Sequence, residues 1–212
     1  MLKNFAPVAS DGSYIYLRDA NGLARWAPPA DPEAEIPVAA NLLVGGIAAQ
    51  GDFIYLSAQD VTMGAAANGM IVRIPVTGGS SAPLVANIGH PANLVSDSEA
   101  LYWTEDDPQS AAMPERVERW AFNSRGGPTT LVPATIVRSL ATSNGQLYLS
   151  TGTSIETMSS SGGALKTLAT GLTYPGLLAA SGNEVVWVDP FQQALSGTAP
   201  VNLDGTCVTA QH

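Results

Sequence analysis

The chain has 212 residues, of which 45% are hydrophobic and only 13% charged, and its formal net charge is −9. Nine Lys and Arg spread along an acidic chain argue against nucleic acid, because phosphate binding needs a basic footprint. No apolar run reaches the ~18 residues a membrane-spanning helix needs, so no membrane span is expected.

Met1 to Phe5 lead straight into a first strand, with no apolar segment of the kind that opens an export signal. From there one phrase is written five times: a small or apolar stretch, a turn, an apolar-aromatic pair, and an acidic or polar turn. It begins at Val8, Ile47, Leu94, Leu140 and Leu178. With Tyr16, Tyr55, Tyr102, Tyr148 and Val186 as the equivalent position, the successive spacings are 39, 47, 46 and 38 residues. Short strands recurring every ~40–50 residues predict a β-propeller.

Within a repeat, four strand signals are separated by Gly, Pro, Asn, Asp and Ser clusters. The first repeat, residues 5–46, is the weakest copy. Its third strand, from Gly22, runs into a loop from Pro28 to Pro37, where proline removes ladder donors and an exposed insertion is expected. The second repeat, 47–91, has strands from Gly45, Asp52, Gly69 and Ala82, and the third, 92–137, has strands from Ala92, Ala100, Glu115 and Thr129. Between third and fourth strands recur Thr77-Gly78-Gly79, Arg125-Gly126-Gly127 and Ser161-Gly162-Gly163, with Asp204-Gly205 in the last repeat. These pairs predict tight hairpins of the primed type, whose central residues need positive φ. The fourth and fifth repeats occupy 138–176 and 177–212. The array reads as a single domain, all-β, with five four-stranded blades and no helix.

Tyr102-Trp103-Thr104-Glu105 resembles the YWTD signature of propeller repeats found in lipoprotein-receptor ectodomains and many bacterial secreted proteins. The stretch from Gly197 to Thr206 is similar to the third strand and turn of those repeats and of NHL repeats. The resemblance spans the chain at repeat level; one copy in five carries YWT, and Leu17, Leu56, Leu149 and Val188 mark departures. It implies a propeller that is commonly six-bladed and an extracellular or periplasmic location. Here sequence for five blades divides into two readings: a closed five-bladed ring, expected to be a monomer, or part of a six- or seven-bladed one.

In such a ring the first strand of each blade lines the channel, and the loops after second and fourth strands gather on the face where ligands usually bind. The channel strands offer few reactive groups: Gln50, Asn93, Asp97 and Arg138. Cys207 is the only cysteine, which leaves no internal disulfide and no thiolate pair for a metal. His212 is terminal, so His90, in a Gly-His-Pro loop, is the one histidine placed on the ligand face. It reads as a base, a metal ligand or a hydrogen-bonded loop residue, and no His or Cys partner at ligand spacing accompanies it.

Asp19, Asp60, the cluster Glu105-Asp106-Asp107 and Asp189 follow second strands and could converge on one rim to take Ca²⁺. The simpler expectation is that each caps its own turn. Trp103 and Trp187 read as packing between blades, whereas Tyr174, beside Pro175, reads as a ligand contact. The candidate ligand-binding residues are therefore His90, Asn93, Asp106, Arg138 and Tyr174, in a noncatalytic binding or scaffold domain for a protein or carbohydrate, with no required cofactor. The alternative is a propeller lyase or hydrolase using His90 with Arg138 and one rim carboxylate, which requires those side chains to meet in one pocket.

Overall fold

The computed structural model describes residues 6–19, 22–26, 34–36, 42–60, 62, 69–106, 115–133, 135–189 and 194–197. Strands dominate, and no helix occurs among the described residues. The first sheet comprises β1 (Ala6–Ser10), β2 (Ile15–Asp19), β3 (Gly22–Trp26) and β4 (Ala34–Ile36), and the second β5 (Leu42–Gln50), β6 (Phe53–Asp60), β7 (Gly69–Pro75) and β8 (Ala82–Ile88). The third has β9 (His90–Ser96), β10 (Ala100–Asp106), β11 (Glu115–Ala121) and β12 (Thr129–Val132). The fourth has β13 (Ser139–Ser143), β14 (Gln146–Ser150), β15 (Ile155–Ser159) and β16 (Lys166–Ala169), and a three-stranded sheet of β17 (Leu178–Ser181), β18 (Glu184–Asp189) and β19 (Ala194–Gly197) follows.

Every sheet is an antiparallel meander in chain order. The first strands of successive sheets lie against one another, β1 by β5, β5 by β9, β9 by β13 and β13 by β17, which is a β-propeller arrangement. A cavity of about 520 Å³ is walled by inner-strand residues of all five sheets, including Ala9, Ala49, Ser96, Leu140 and Leu178.

The period-2 alternation of the second strands explains why sheets stack face to face. Ile54 and Leu56 turn back toward Tyr16 and Leu23 of the first sheet, while Tyr55 points forward to Leu101 and Trp103 of the third. Tyr102 in turn packs against Leu140, Leu147 and Leu149 of the fourth, and Tyr148 against Val185 and Trp187 of the last. Four apolar seams thus join the sheets in sequence, each fully buried large side chain contributing about 1.5–3 kcal/mol. Trp103 and Trp187 lie buried in these seams, as expected of packing residues.

The hairpins differ in one respect from expectation. Gly78, Gly79, Gly162 and Gly163 do take positive φ, between 86° and 129°, but Gly126 and Gly127 do not. The loops holding them run from Val76 to Ser81, Phe122 to Pro128 and Ser160 to Leu165, longer than two-residue hairpins. A two-residue turn with positive φ at both positions instead joins β13 to β14, at Asn144 and Gly145. The Pro28–Pro37 insertion and residues 198–212, including Asp204-Gly205 and Cys207, lie wholly or largely outside the described residues.

Candidate functional site

The face on which the inner strands begin carries the connections after second and fourth strands. Between the second and third sheets it holds a cavity of about 240 Å³, lined by Leu43, Gln59, His90, Asn93, Asp106 and Glu115 among others. Three of the five residues singled out in the sequence, His90, Asn93 and Asp106, meet here.

His90 starts β9 opposite Asp106 at the end of β10. The Asp106 carboxylate holds it twice: Oδ1 accepts the His90 backbone N–H at 3.2 Å, and Oδ2 lies 3.2 Å from Nδ1. Both side chains are partly exposed, at 34% and 25%, so the imidazole reaches solvent while its orientation is fixed. Asn93 adopts φ of 47°, in the left-handed region that asparagine tolerates, at an irregularity in the pairing of β9 with β10. Its amide donates to Thr104 Oγ1 at 3.1 Å and more weakly to the Val137 carbonyl at 3.4 Å. Glu115 Oε2 accepts the Val137 N–H at 2.6 Å, so this carboxylate ties the third sheet to the fourth while lining the same cavity.

Arg138 and Tyr174 form a second group, between the fourth and last sheets, and do not line the His90 cavity. The Arg138 guanidinium carbon lies 3.7 Å from the Tyr174 ring centroid, a cation–π stack. The structure therefore pairs His90 with a carboxylate but does not bring Arg138 into the same pocket.

Sequence reasoning missed Glu105. Standing in the acidic turn cluster, it reads as a solvated cap, yet it is 2% exposed. Its Oε1 accepts the Gly89 N–H at 2.9 Å and Arg116 Nη2 at 2.7 Å, and its Oε2 accepts the Trp103 indole N–H at 3.2 Å. A carboxylate with these donors behind it fixes the backbone immediately before His90. Glu118 shares Arg116, and burial, with repulsion from Glu105 acting in the same direction, raises its pKa above the ordinary carboxylate value against the opposing Thr130 and Arg116 contacts. The sequence signal that could have found this acid is Arg116, two residues from Glu118 on a strand that pairs with β10.

Asp97, expected among the channel residues, instead closes its own hairpin: Oδ1 accepts the Glu99 and Ala100 N–H groups and Oδ2 the Tyr102 hydroxyl at 2.9 Å. Asp11 does the same for Tyr16, with a 2.7 Å hydroxyl contact. Asp60 takes the Thr62 N–H and hydroxyl and so caps its own turn. Among the described residues no group of three or more His, Cys, Asp and Glu stands close enough to hold a metal ion. Also among them, no helix is long and apolar enough to cross a membrane. Asp107 and the side chains of Asp19 and Asp189 lie outside the description.

No family model matches the sequence, and the curated proteins compared with it give no match. Solved structures do. A chain of the nidogen–laminin complex superposes with a TM-score of 0.76 at 17% identity, covering 97% of this chain and 78% of that one. A gluconolactonase of Xanthomonas campestris gives 0.64 at 12% identity, covering 86% and 67%. PorZ, described as an essential bacterial surface component of the type-IX secretion system of Porphyromonas gingivalis, gives 0.65 at 14% identity over 98% of this chain and 26% of its own. At these identities the likeness is one of fold, and the fold is the β-propeller.

Proposed function

We propose that the protein is a noncatalytic binding domain, five sheets of a β-propeller that take their ligand in the mouth-face cavity beside His90. The observation that supports this most is the fixed His90–Asp106 pair opening onto a cavity that also holds Glu115, Gln59 and Asn93 beside the exposed Leu43. Two carboxylates, two amides and one oriented imidazole in a chain of net charge −9 suit a cationic group or a neutral polyhydroxyl compound, presented by a protein or a carbohydrate. A place at the cell surface or in the periplasm fits this reading, and PorZ, a bacterial surface component, shares the fold.

The test is titration of the ¹⁵N-labelled protein with butylammonium and with cellobiose. Binding should shift the amides of His90, Asn93 and Asp106, and Asp106→Asn should weaken a cationic ligand roughly tenfold or more. Absence of shifts with both probes overturns this reading of the cavity.

A second reading is favoured by one observation: Asp106 stands 3.2 Å from His90 Nδ1, the relation that orients an imidazole as a base. In that case Nε2 would take a proton from water attacking an ester or lactone, and His90→Ala would abolish the activity. A lactone panel assayed against both proteins decides it, and on the leading reading neither shows turnover.

A further inference from the structure

The repeat supplies its own control for Arg138. The pairings Ala48–Tyr55, Val95–Tyr102, Ala141–Tyr148 and Ala179–Val186 align the inner strands. Allowing for the bulges in β5 and β9, the position of Arg138, one residue before Ser139 opposite Ser150, is held by Val44 opposite Ala58 and by Pro91 opposite Glu105. Neither equivalent is charged, so the fold has no architectural need for a cation at 138.

Among the described residues that cation has no anionic partner. Among the described residues Arg138 makes no salt bridge, and its Nε is buried with no hydrogen-bond acceptor. Burying a guanidinium donor unsatisfied costs about 1–3 kcal/mol, and this occurs in a chain whose net charge is −9. The stack on Tyr174 occupies one planar face of the guanidinium and leaves the terminal Nη fork, the part suited to two parallel bonds with a carboxylate.

Each of the two segments also carries an exposed apolar side chain close in the chain to Arg138 or Tyr174. Ile136 is 61% and Leu177 75% exposed, the two highest values among the described large hydrophobics. Both segments are held in place: Arg138 N–H bonds the Ser150 carbonyl, Ser150 Oγ the Gly176 carbonyl, and Leu178 N–H the Ser139 hydroxyl. We propose that Arg138, backed by Tyr174, is a second binding site on the mouth face, for a carboxylate bearing an apolar substituent. The carboxylate takes the guanidinium fork and the substituent covers Leu177 and Ile136. Such a head group belongs equally to a small branched-chain acid and to the chain-terminal leucine of a peptide.

The experiment is titration of the ¹⁵N-labelled full chain with isovalerate, with isovaleramide, and with the tripeptide Gly-Ser-Leu as free acid and as amide. Isovalerate or the free-acid tripeptide is expected to shift the Arg138 and Leu177 amides saturably, and neither amide-capped compound should. Arg138→Ala is expected to weaken the response at least tenfold, the loss of a charge-assisted pair. Because the uncharged Val44 and Pro91 fill the equivalent position in other sheets, the fold does not depend on a charge there; Arg138→Lys, which retains charge without the fork, serves as the second variant and should weaken binding severalfold. A free-acid tripeptide that binds tenfold tighter than isovalerate identifies a chain terminus as the source, and equal affinities identify the head group as sufficient. Silence with both acids, equal shifts from their amides, or an unchanged response in Arg138→Ala overturns the proposal. Val137 links Arg138 to Asn93 and Glu115 of the His90 cavity, so the two sites are told apart by the Leu177 amide and by Arg138→Ala, which weakens the response to the acids and leaves that of His90 and Asp106 to butylammonium.

Discussion

The forward face of each of the first four sheets differs from that of the last. Tyr16, Tyr55, Tyr102 and Tyr148 occupy the same register position and are 0–5% exposed, each closed over by the next sheet. Val186, in that position on β18, is 39% exposed, and Val188 is 41%. The sequence changes with the environment: a tyrosine, backed in two sheets by a hairpin carboxylate as in Tyr16 with Asp11 and Tyr102 with Asp97, gives way to a valine whose hairpin counterpart is Ser181. A position repeated five times therefore carries two jobs, cementing one sheet to the next in four copies and facing outward in the fifth.

The largest expected effect separates these jobs. Tyr102→Ala should destabilise by about 3–5 kcal/mol, as for other aromatic truncations in a core, whereas Val186→Ala should cost under about 1 kcal/mol. Equal losses in denaturant unfolding would break the comparison. Adding bulk instead of removing it is the next probe: Val186→Tyr should change stability by no more than about 0.5 kcal/mol on an open face, while overpacking a closed one costs about 1–3 kcal/mol. For the hairpins, Asp97→Ala removes one of three partners of the Tyr102 hydroxyl, Ser160 and Arg119 remaining, and frees the Glu99 and Ala100 N–H groups; it should cost about 1 kcal/mol, against a few tenths for Ser181→Ala.

The smallest effect lies in pH. Glu118 has its folded-state pKa raised above 4.5, by burial foremost, so the folded protein holds its proton more tightly than the unfolded chain. Its contribution is then fully present below the unfolded value and is lost as pH rises through the folded one. Asp11 has the opposite shift: burial pushes its pKa upward, but bonds from Tyr16, Tyr14 and Ser13 together bring it below 3.8. Its contribution is present above that value and fades as pH falls further. Glu118→Gln should accordingly flatten the stability profile just above pH 4.5 and leave the acid limb unchanged. Thermal melts from pH 3 to 7 would show it, and a profile unchanged above 4.5 would contradict the assignment.

The propeller was legible because the second strands alternate cleanly and recur with their turns. Tyr55, Tyr102 and Tyr148 announce both the period and the face. The sequence also pointed to His90, Asn93 and Asp106, since loop position and side-chain type are local properties. What it hid was depth. Glu105 and Asp106 are neighbours of the same charge, and only the pleat decides that one is sealed behind β9 and the other open to the cavity. It likewise placed Arg138 and His90 on one face without revealing that they serve different gaps between sheets, because angular position around a ring depends on which strands abut.

Gly89 sits where a β-carbon would collide with the Asp106 backbone carbonyl, and Gly69 where one would strike the carbonyl of Gly89. The loop that presents His90 is thus wedged between two strands at van der Waals range, without slack. In a saturation library, position 90 would accept a broad spectrum of residues while 69 and 89 would return glycine alone. The chemistry offered at the mouth of the channel can consequently be exchanged one side chain at a time, on a mount that itself admits no variation.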